Sequence, residues 1–484
     1  MTREAEHRTT SLNRPTAPAA PTGRFLRGRR PSSYATGSLA ALLLMLLPAP
    51  MVSAQQTETP ADTSRLQDGV TLLIEGDVRE RVRLALPAAK HRSVFPPAAR
   101  KAAEELEQTL RSDLELNGIF SVMGPDQLSG LEVNGDFTHD FELYRSVGND
   151  VVLLAELLLE EDKLVLEGRI FDLKGHGLIL GKRYRGTYDL ARRMAHTFND
   201  EIVFYFTGQR GIGLTSIAFT SDRDGSGIKE LYVMDYDGYD QRRITGHESL
   251  TFTPAWSPDG NGLAYTSYYE LSPSLYWADR QTGRKSPILV DEVQSTSPDV
   301  SPDGSSVVFS RSLRGNIELF RCRIRDCQQT LQRLTNSGAI DTNPSWSSDG
   351  RQIAFTSSRS GSPQIYAMDA DGENVRRLTF EGKYNEGADW SPDGRRIVFA
   401  HRAPSGARFD IAQIEVGTGD MRVLTSGPGS HEAPTFSPDG NFIAFESNVS
   451  GRKQIHLMTA DGQPVRQLTT VGQNYGPSWS GYLE

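Results

Sequence analysis

The sequence contains few residues whose types and spacing suit catalysis. It has no Gly-x-Ser-x-Gly nucleophile turn, no phosphate-binding Gly-x-x-x-x-Gly-Lys loop and no zinc-binding His-Glu-x-x-His helix. The nine histidines are widely spaced, and His431-Glu432 is the one suggestive neighbouring pair. A polar loop pair that meets solvent or a partner is the simpler interpretation of these two residues. The sequence therefore predicts a protein that is not an enzyme and needs no cofactor.

The two cysteines, Cys322 and Cys327, lie on either side of an expected hairpin turn. In an oxidising compartment a local disulfide between them is plausible, and a free buried pair is the alternative. Zinc requires about four ligands, and no histidine flanks these cysteines. We expect no metal at this position.

The first 54 residues differ from the rest of the chain. A basic, proline-rich stretch that includes Arg29 and Arg30 precedes an apolar run at 39–47 and a small-residue site ending at Ala54. This order is typical of a secretory signal peptide cleaved between Ala54 and Gln55. A membrane anchor is the alternative, but nine apolar residues are far fewer than the roughly 20 that span a bilayer. We therefore expect an exported protein.

The charge balance argues against nucleic acid as a ligand. Residues 1–54 hold seven basic and two acidic residues, so 45 basic and 59 acidic residues remain, with a formal net charge of −14. A strongly acidic chain repels phosphate backbones.

The second half of the chain repeats itself every 44 or 46 residues. A Ser-Pro-Asp-Gly turn, once Ser-Ser-Asp-Gly, usually follows a large aromatic residue and precedes an apolar strand. An Asp-Gly turn and an Arg-Leu-Thr type of strand then complete most units. The turn motif lies at 257–260, 301–304, 347–350, 391–394 and 437–440.

Four short strands repeated at this period predict the blades of a β-propeller. The first unit lacks its Trp-Ser strand, whereas 477–480 supplies only that strand. Joining these two pieces gives six blades and a closed ring without a free sheet edge. An open repeat array would not leave two complementary half-blades.

An α/β unit is predicted before the repeats. We expect a helix from about 97 to 116, a strand at 119–123, a hairpin over 151–173, a strand near 178–188 and a helix over about 190–206. The predicted organisation is a signal peptide (1–54), a flexible tail (55–69), an α/β domain (70–208), a linker (209–213) and a six-bladed propeller (214–484).

The segments that precede the Trp-Ser strands are the candidate binding residues. Six such segments are expected to form loops that converge near the propeller axis, and loops on a rigid scaffold commonly carry binding groups. They are polar and partly acidic; the alternative is that they are only solvated turns. The candidate contacts are Thr253, Gln294, Thr296, Ser297, Asp341, Thr342, Asn343, Asn385, Glu386, His431, Glu432 and Asn474.

The leader, the α/β unit and the six repeats together resemble the TolB family of the Tol–Pal envelope system. The helix segment 195–201 and the closing sequence 477–483 carry the resemblance further. The resemblance implies that the propeller face binds a Pal-type peptidoglycan-associated lipoprotein, with contacts near Gln294, Ser297 and Thr342. Thr342 fits the family pattern, whereas Gln294 stands where the family often has His and Ser297 where it often has Ala.

The resemblance also implies that the mature N-terminal tail engages a TolA-type inner-membrane protein. The expected role is a non-catalytic periplasmic scaffold that supports outer-membrane integrity and envelope constriction at cell division. Two other functions stay open from the residues alone. One is an exported propeller lyase or hydrolase with an axial metal held by several blades, and the other is a carbohydrate-binding propeller.

Overall fold

The computed structural model describes residues 81–270 and 272–483. The expected signal peptide, its cleavage point between Ala54 and Gln55, the tail at 55–69 and the start of the α/β domain lie outside these ranges. Within them, no helix combines the length and the hydropathy that crossing a bilayer requires.

An α/β arrangement precedes the propeller. A 3-10 turn at Tyr188–Leu190 leads into the last helix. The elements are β1 (Val82–Ala85), β2 (Lys90–His91), α1 (Pro97–Leu116), β3 (Phe120–Met123), α2 (Pro125–Leu128), α3 (Phe137–Ser146), β4 (Val151–Glu160), β5 (Lys163–Asp172), β6 (Leu178–Gly186) and α4 (Ala191–Thr207).

The α/β sheet has the order β3-β1-β4-β5-β6, with β2 also paired to β4. β1 runs parallel to β3 and β4, whereas β4, β5 and β6 are antiparallel. α1 has leucine and alanine at helical spacing on one side, so it packs with α4 in a core that includes Leu106, Leu110 and Phe198. Gly168 leaves room for the Phe198 ring, which a Cβ would meet. α3 packs through Phe141 in a separate cluster with Leu173.

Six four-stranded antiparallel sheets follow, which we number as blades in chain order. Blade 1 combines β7–β9 with β30, and blades 2 to 6 take four consecutive strands each. The strands are β7 (Ser216–Ser221), β8 (Glu230–Asp235), β9 (Arg242–Arg243); β10 (Thr251–Trp256), β11 (Gly262–Ser267), β12 (Ser274–Asp279), β13 (Lys285–Leu289); β14 (Ser295–Val300), β15 (Ser306–Leu313), β16 (Asn316–Arg323), β17 (Gln332–Arg333); β18 (Asp341–Trp346), β19 (Gln352–Ser357), β20 (Gln364–Asp369), β21 (Arg376–Arg377); β22 (Tyr384–Trp390), β23 (Arg396–Arg402), β24 (Asp410–Glu415), β25 (Met421–Val423); β26 (His431–Phe436), β27 (Phe442–Ser447), β28 (Gln454–Thr459), β29 (Pro464–Gln467); and β30 (Asn474–Trp479).

The first strand of each blade lies nearest the propeller axis, since the first strands of neighbouring blades contact one another. The ring closes as predicted, because β30 pairs antiparallel with β7 and Trp479 lies opposite Ile217. The Trp479 indole nitrogen donates to Thr215 Oγ1 at 2.9 Å. The Trp256 indole nitrogen donates to the Ser478 carbonyl at 3.1 Å, which ties blade 2 to the closing strand. The six-bladed propeller that follows an α/β domain is confirmed.

Large side chains fill the wedges between blades. Trp256 packs among Val233 of blade 1 and Leu263 of blade 2, and Trp346 packs among Leu319 of blade 3 and Phe355 of blade 4. The aromatic residue that precedes most turn motifs therefore joins two blades, which explains why its size recurs at the repeat period.

The repeated polar residues have local partners. In the turn motif the serine accepts a hydrogen bond from a backbone N–H five residues on, as Gly262 donates to Ser257 Oγ at 3.0 Å. In the Arg-Leu-Thr strand the threonine accepts from the third strand, as Ile365 N–H donates to Thr379 Oγ1 at 2.9 Å. These bonds satisfy backbone groups that would otherwise be buried without partners.

Blade 3 departs from the simple Asp-Gly hairpin between its third and fourth strands. A 3-10 turn at Ile324–Asp326 leads into a short helix, α5 (Cys327–Thr330). Cys322 and Cys327 are bonded to each other and buried. The bridge closes this connection at its base.

Four elements of the α/β domain were not predicted from the sequence. β1, β2 and α2 have only two to four residues each, and α3 is short and largely polar. The domain boundaries proposed from the sequence stay predictions.

Candidate partner-binding face of the propeller

The strand topology gives the propeller two different faces. In a four-stranded antiparallel blade, connections alternate between the two edges, so the Ser-Pro-Asp-Gly and Asp-Gly turns share one face. The α/β domain docks on that face: Arg192 of α4 pairs with Asp237 at 2.8 Å, and Arg466 donates to Ser112 of α1 at 3.2 Å. The opposite face, where each first strand begins, is called the open face below.

Each first strand begins with an irregularity that the sequence reading took for a loop. The segments expected to be loops are the first residues of the first strands, and the pairing register shifts just after them. In every blade, the residue that follows the last paired residue before the shift has a positive φ. These residues are Thr253, Ser297, Asn343, Gly387, Ala433 and Gly476.

In most blades, the backbone N–H of this positive-φ residue donates a hydrogen bond to the neighbouring blade. Asn343 N–H donates to Ser310 Oγ and Gly387 N–H donates to Thr356 Oγ1, both at 3.2 Å. Gly476 N–H donates to Glu446 Oε2 at 2.8 Å. Hydrogen bonds between blades therefore fix the positions of the neighbouring side chains on the open face.

The structure divides the twelve candidate residues into two groups. Gln294 is exposed, and seven others are partly exposed where the first strands begin: Thr253, Thr296, Ser297, Thr342, Asn343, Glu386 and Glu432. The other four candidates have buried side chains that cannot meet a partner directly: Asp341, Asn385, His431 and Asn474.

Most of the buried candidates make hydrogen bonds within the propeller instead. Asp341 accepts from Arg359 at 2.9 Å, and Asn385 donates to Gln364 at 2.8 Å. The register shift explains this burial, because it places the first residue of the segment inward and the next two toward solvent.

Three carboxylates, of Glu386 in blade 5 and of Glu432 and Glu446 in blade 6, meet on the open face. Burial raises the pKa of Glu386; a hydrogen bond to Tyr384 opposes this shift, and the carboxylates of Glu432 and Glu446 add to it. Lys453 pairs with Glu446 and lies 3.2 Å from Glu432 Oε2. The charges of Lys453 and Arg402 partly offset this cluster of carboxylates.

Two tyrosines lie beside the carboxylates: Tyr384 hydrogen-bonds Glu386, and the charge of Glu446 acts on Tyr475. Lys229 Nζ lies 3.6 Å from the centre of the Tyr475 ring, and burial raises the pKa of Tyr475. Rigid rings beside charged groups are common in protein interfaces. The sequence reading missed Tyr475, Glu446 and Lys453, although Tyr475 occupies the repeat position of Thr342 and Glu432.

Two further carboxyls lie deeper along the first strands. Asp299 accepts from the Trp346 N–H at 2.7 Å, and Asp389 accepts from the Phe436 N–H at 2.8 Å. Burial raises the pKa of each to about 7, and the Asp389 charge adds to the effect at Asp299. Their role is to tie adjacent blades near the axis.

His431, which the metal alternative requires, is buried against an aromatic ring, with Asp410 and Glu432 near enough to act on its charge. Its ring packs 5.6 Å from that of Phe445, and Nδ1 has no hydrogen-bond partner. Burial lowers its pKa. Among residues 81–270 and 272–483, one group of three potential ligands lies close enough together to hold an ion, and it does not include His431.

That group is Asp113, His196 and Asp237, at the junction of the α/β domain and blade 1. Asp113 Oδ2 lies 2.7 Å from His196 Nδ1, and Tyr236 donates to Asp113 Oδ1 at 2.7 Å. Burial lowers the pKa of His196, but the Asp113 carboxylate outweighs it and raises the value to about 10.

With a pKa of about 10, His196 would bind a metal only by giving up a proton that the Asp113 carboxylate stabilises. Arg192 already contacts both Asp237 oxygens, at 2.9 and 2.8 Å. The group is therefore suited to holding the two domains together by ion pairs.

The fold and its two faces define a class: a six-bladed propeller that is closed by its C-terminal strand and covered on one face by an α/β domain. A family model described as the TolB beta propeller domain matches residues 204–483. A curated "Protein TolB homolog" from Chlorobium luteolum is 33% identical over 379 residues, which cover 78% of this chain and 85% of the relative. The chain belongs to the TolB family.

Two further comparisons agree with this assignment. The "Tol-Pal system protein TolB" of Bordetella pertussis is 32% identical over 377 residues, which cover 77% of this chain and 84% of the relative. The crystal structure of TolB from Acinetobacter baumannii has a TM-score of 0.71 and 25% identity, and the match covers 83% of this chain and 97% of that chain.

Proposed function

We propose that this protein is a non-catalytic periplasmic component of the Tol–Pal system and binds a Pal-type lipoprotein through the open face. The observation that carries the proposal is the set of partly exposed residues that the register shifts hold at the start of the six first strands. The α/β domain docks on the other face, so it leaves this one accessible. In this role the protein supports outer-membrane integrity and envelope constriction at cell division.

The charge of the open face indicates what the partner presents. Glu386, Glu432 and Glu446 lie close enough to raise one another's cost of ionisation, so a lysine or arginine of the lipoprotein would be attracted to this cluster beside Lys453 and Arg402. Charge complementarity of this kind steers association and sets orientation.

The second proposed partner is a TolA-type inner-membrane protein, which would engage the tail at 55–69. The tail precedes the α/β domain in the chain, whereas the open face belongs to the propeller. Deleting 55–69 should therefore abolish TolA-type binding and leave lipoprotein affinity within about twofold. Loss of both interactions would contradict the separation of the two sites.

Calorimetric titration with the soluble domain of the lipoprotein from the same organism tests the proposal. Thr342→Arg places a bulky cation on the open face, and Glu432→Lys reverses one of the three charges. We expect each change to weaken binding at least about tenfold, because a clash or a repelled charge at an interface costs more than about 1.4 kcal/mol.

Glu373→Lys is the matched control. Glu373 is exposed in the turn between β20 and β21, on the face that carries the Asp-Gly turns. The control makes the same charge change and should leave affinity within about twofold. Unchanged affinity in both open-face variants would refute the site, and absence of any binding by the unmodified protein would refute the proposed partner.

A further inference from the structure

A groove lies between blades 2 and 3 on the face opposite to the proposed lipoprotein site. Its volume is about 730 Å³, which is within the range of small-ligand sites. The turn motifs of both blades form one wall, and the disulfide-closed connection of blade 3 forms the other. The side chains that matter for binding are Trp277, Asp259, Asp303, Arg323, Arg325 and Asp326.

Trp277 differs from the other four tryptophans. Those four fill wedges between blades and are at most 8% exposed, whereas Trp277 is partly exposed on the groove. Its indole packs over Gly262, where a Cβ would collide with the ring. A flat aromatic surface is thus held in a fixed position along the groove.

The polar side chains around Trp277 are also held in place. Asp303 accepts from the Ser305 N–H at 3.0 Å, and Asp259 accepts from the Asn261 N–H at 3.0 Å, yet both residues remain exposed. Arg323 pairs with Asp326 at 2.6 Å. The groove therefore offers fixed acceptors and donors beside an aromatic ring.

We propose that this groove binds one or more pyranose units of an oligosaccharide. The C–H face of a pyranose is apolar enough to stack on the electron-rich face of an indole. Its hydroxyls lie around the ring edge and both donate and accept, which suits a mixture of carboxylates and guanidinium groups. An apolar ligand would leave those charged groups without partners, and a simple anion would not use the indole. This activity goes beyond the proposed lipoprotein binding and uses a different face.

Fluorescence titration of the full mature chain with three neutral tetrasaccharides tests the proposal: β-1,4-linked N-acetylglucosamine, β-1,4-linked glucose and α-1,4-linked glucose. Saturable quenching by any of them is expected, and the pattern among the three identifies the preferred sugar. Quenching reports on Trp277, since the other tryptophans are buried. No saturable change with any of the three up to about 20 mM would overturn the proposal.

Variants locate the binding, which calorimetry measures independently of fluorescence. Trp277→Ala should weaken it about tenfold, because an aromatic contact and its buried area together amount to about 1.4 kcal/mol or more. Arg325→Ala should weaken it about threefold. Phe380→Ala, which removes a 72% exposed ring from the connection between blades 4 and 5, should change nothing.

Circular dichroism distinguishes lost binding from lost folding. If Trp277→Ala does not fold, Trp277→Phe and Arg325→Ala decide the question, because the first keeps a ring on Gly262 and the second changes an exposed side chain. Folded variants that bind as tightly as the unmodified chain would overturn the proposal.

Discussion

At the residue scale, Asp299 and Asp389 show a conflict between burial and ionisation. Each carboxyl accepts a backbone N–H of the next blade, so an acceptor is needed there. Burial raises the pKa of each to about 7, well above the value of about 3.9 in an unfolded chain. The folded protein therefore prefers the protonated carboxyl, and its free energy of unfolding falls as pH rises from about 4 through 7.

The double variant Asp299→Asn/Asp389→Asn should remove most of this pH dependence, because an amide keeps the acceptor without the charge. At pH 8 we expect it to be more stable than the unmodified chain by at least about 1 kcal/mol per site, since one pKa unit corresponds to about 1.4 kcal/mol. Urea unfolding at pH 5 and pH 8 measures the effect, with the exposed Asp371→Asn as control. An equal loss of stability between the two pH values in both proteins would contradict the assignment.

The sequence located the open-face residues but not their burial. Repeat position placed Thr342 and Glu432 in loops before the Trp-Ser strands, whereas the structure has them as the second residues of first strands. The register shift changes which side chains point inward and which point outward. It depends on a positive φ, which residue types such as Thr253 and Ala433 do not predict. Lys453 was missed because it comes from another strand connection of blade 6.

At the element scale, the Asp-Gly turns do more than reverse the chain. Gly462 has a φ of 93°, and a Cβ there would lie 2.8 Å from the Leu424 carbonyl oxygen of the previous blade. Gly238 and Gly372 make the same approach to Leu468 and Leu334. Each of these three glycines thus allows two blades to pack closely on the face that carries the Asp-Gly turns.

Gly462→Ala should destabilise the protein by about 2–4 kcal/mol, because strain at positive φ adds to a collision with backbone. Gly419→Ala is the matched control: it lies in the equivalent turn of blade 5, also has a positive φ and has no neighbour within 4 Å. It should cost only about 1 kcal/mol. Thermal unfolding compares the two, and equal costs would show that the close approach does not matter.

Repetition explains which elements could be predicted. Most blades repeat the same turns and strands, so the propeller and the strand exchange could be predicted from the sequence. β1 offers only four residues and no turn motif, and its pairing partners β3 and β4 come much later in the chain. A short strand that pairs in parallel with distant strands has no local sequence pattern from which it could be predicted.

At the scale of the whole molecule, two contacts join distant parts of the chain. One is the closing seam, where β30 pairs with β7, and the other is the domain junction between the α/β domain and blade 1. The seam places Trp479 in the same kind of wedge that Trp346 fills between blades 3 and 4, and both are almost fully buried. The junction joins Asp113 and His196 to the loop after β8. Asp113 and His196 lie 83 residues apart, so no sequence motif could pair them.

If the closing seam is as tight as an interior one, Trp479→Ala and Trp346→Ala should cost similar amounts. We expect each to lower the free energy of unfolding by about 3–5 kcal/mol, as for other large-to-small changes in cores. Denaturant unfolding measures both. A cost below about 1 kcal/mol for Trp479→Ala alone would show that the ring is not sealed by β30.

The central claim is that the open face receives the lipoprotein, and a solved structure of the complex tests it most directly. The account predicts that Thr342, Glu432 and Tyr475 become buried against the lipoprotein, with a basic side chain of the partner close to Glu386. A complex in which the lipoprotein contacts the Ser-Pro-Asp-Gly turns or the α/β domain, and leaves these residues exposed, would contradict it.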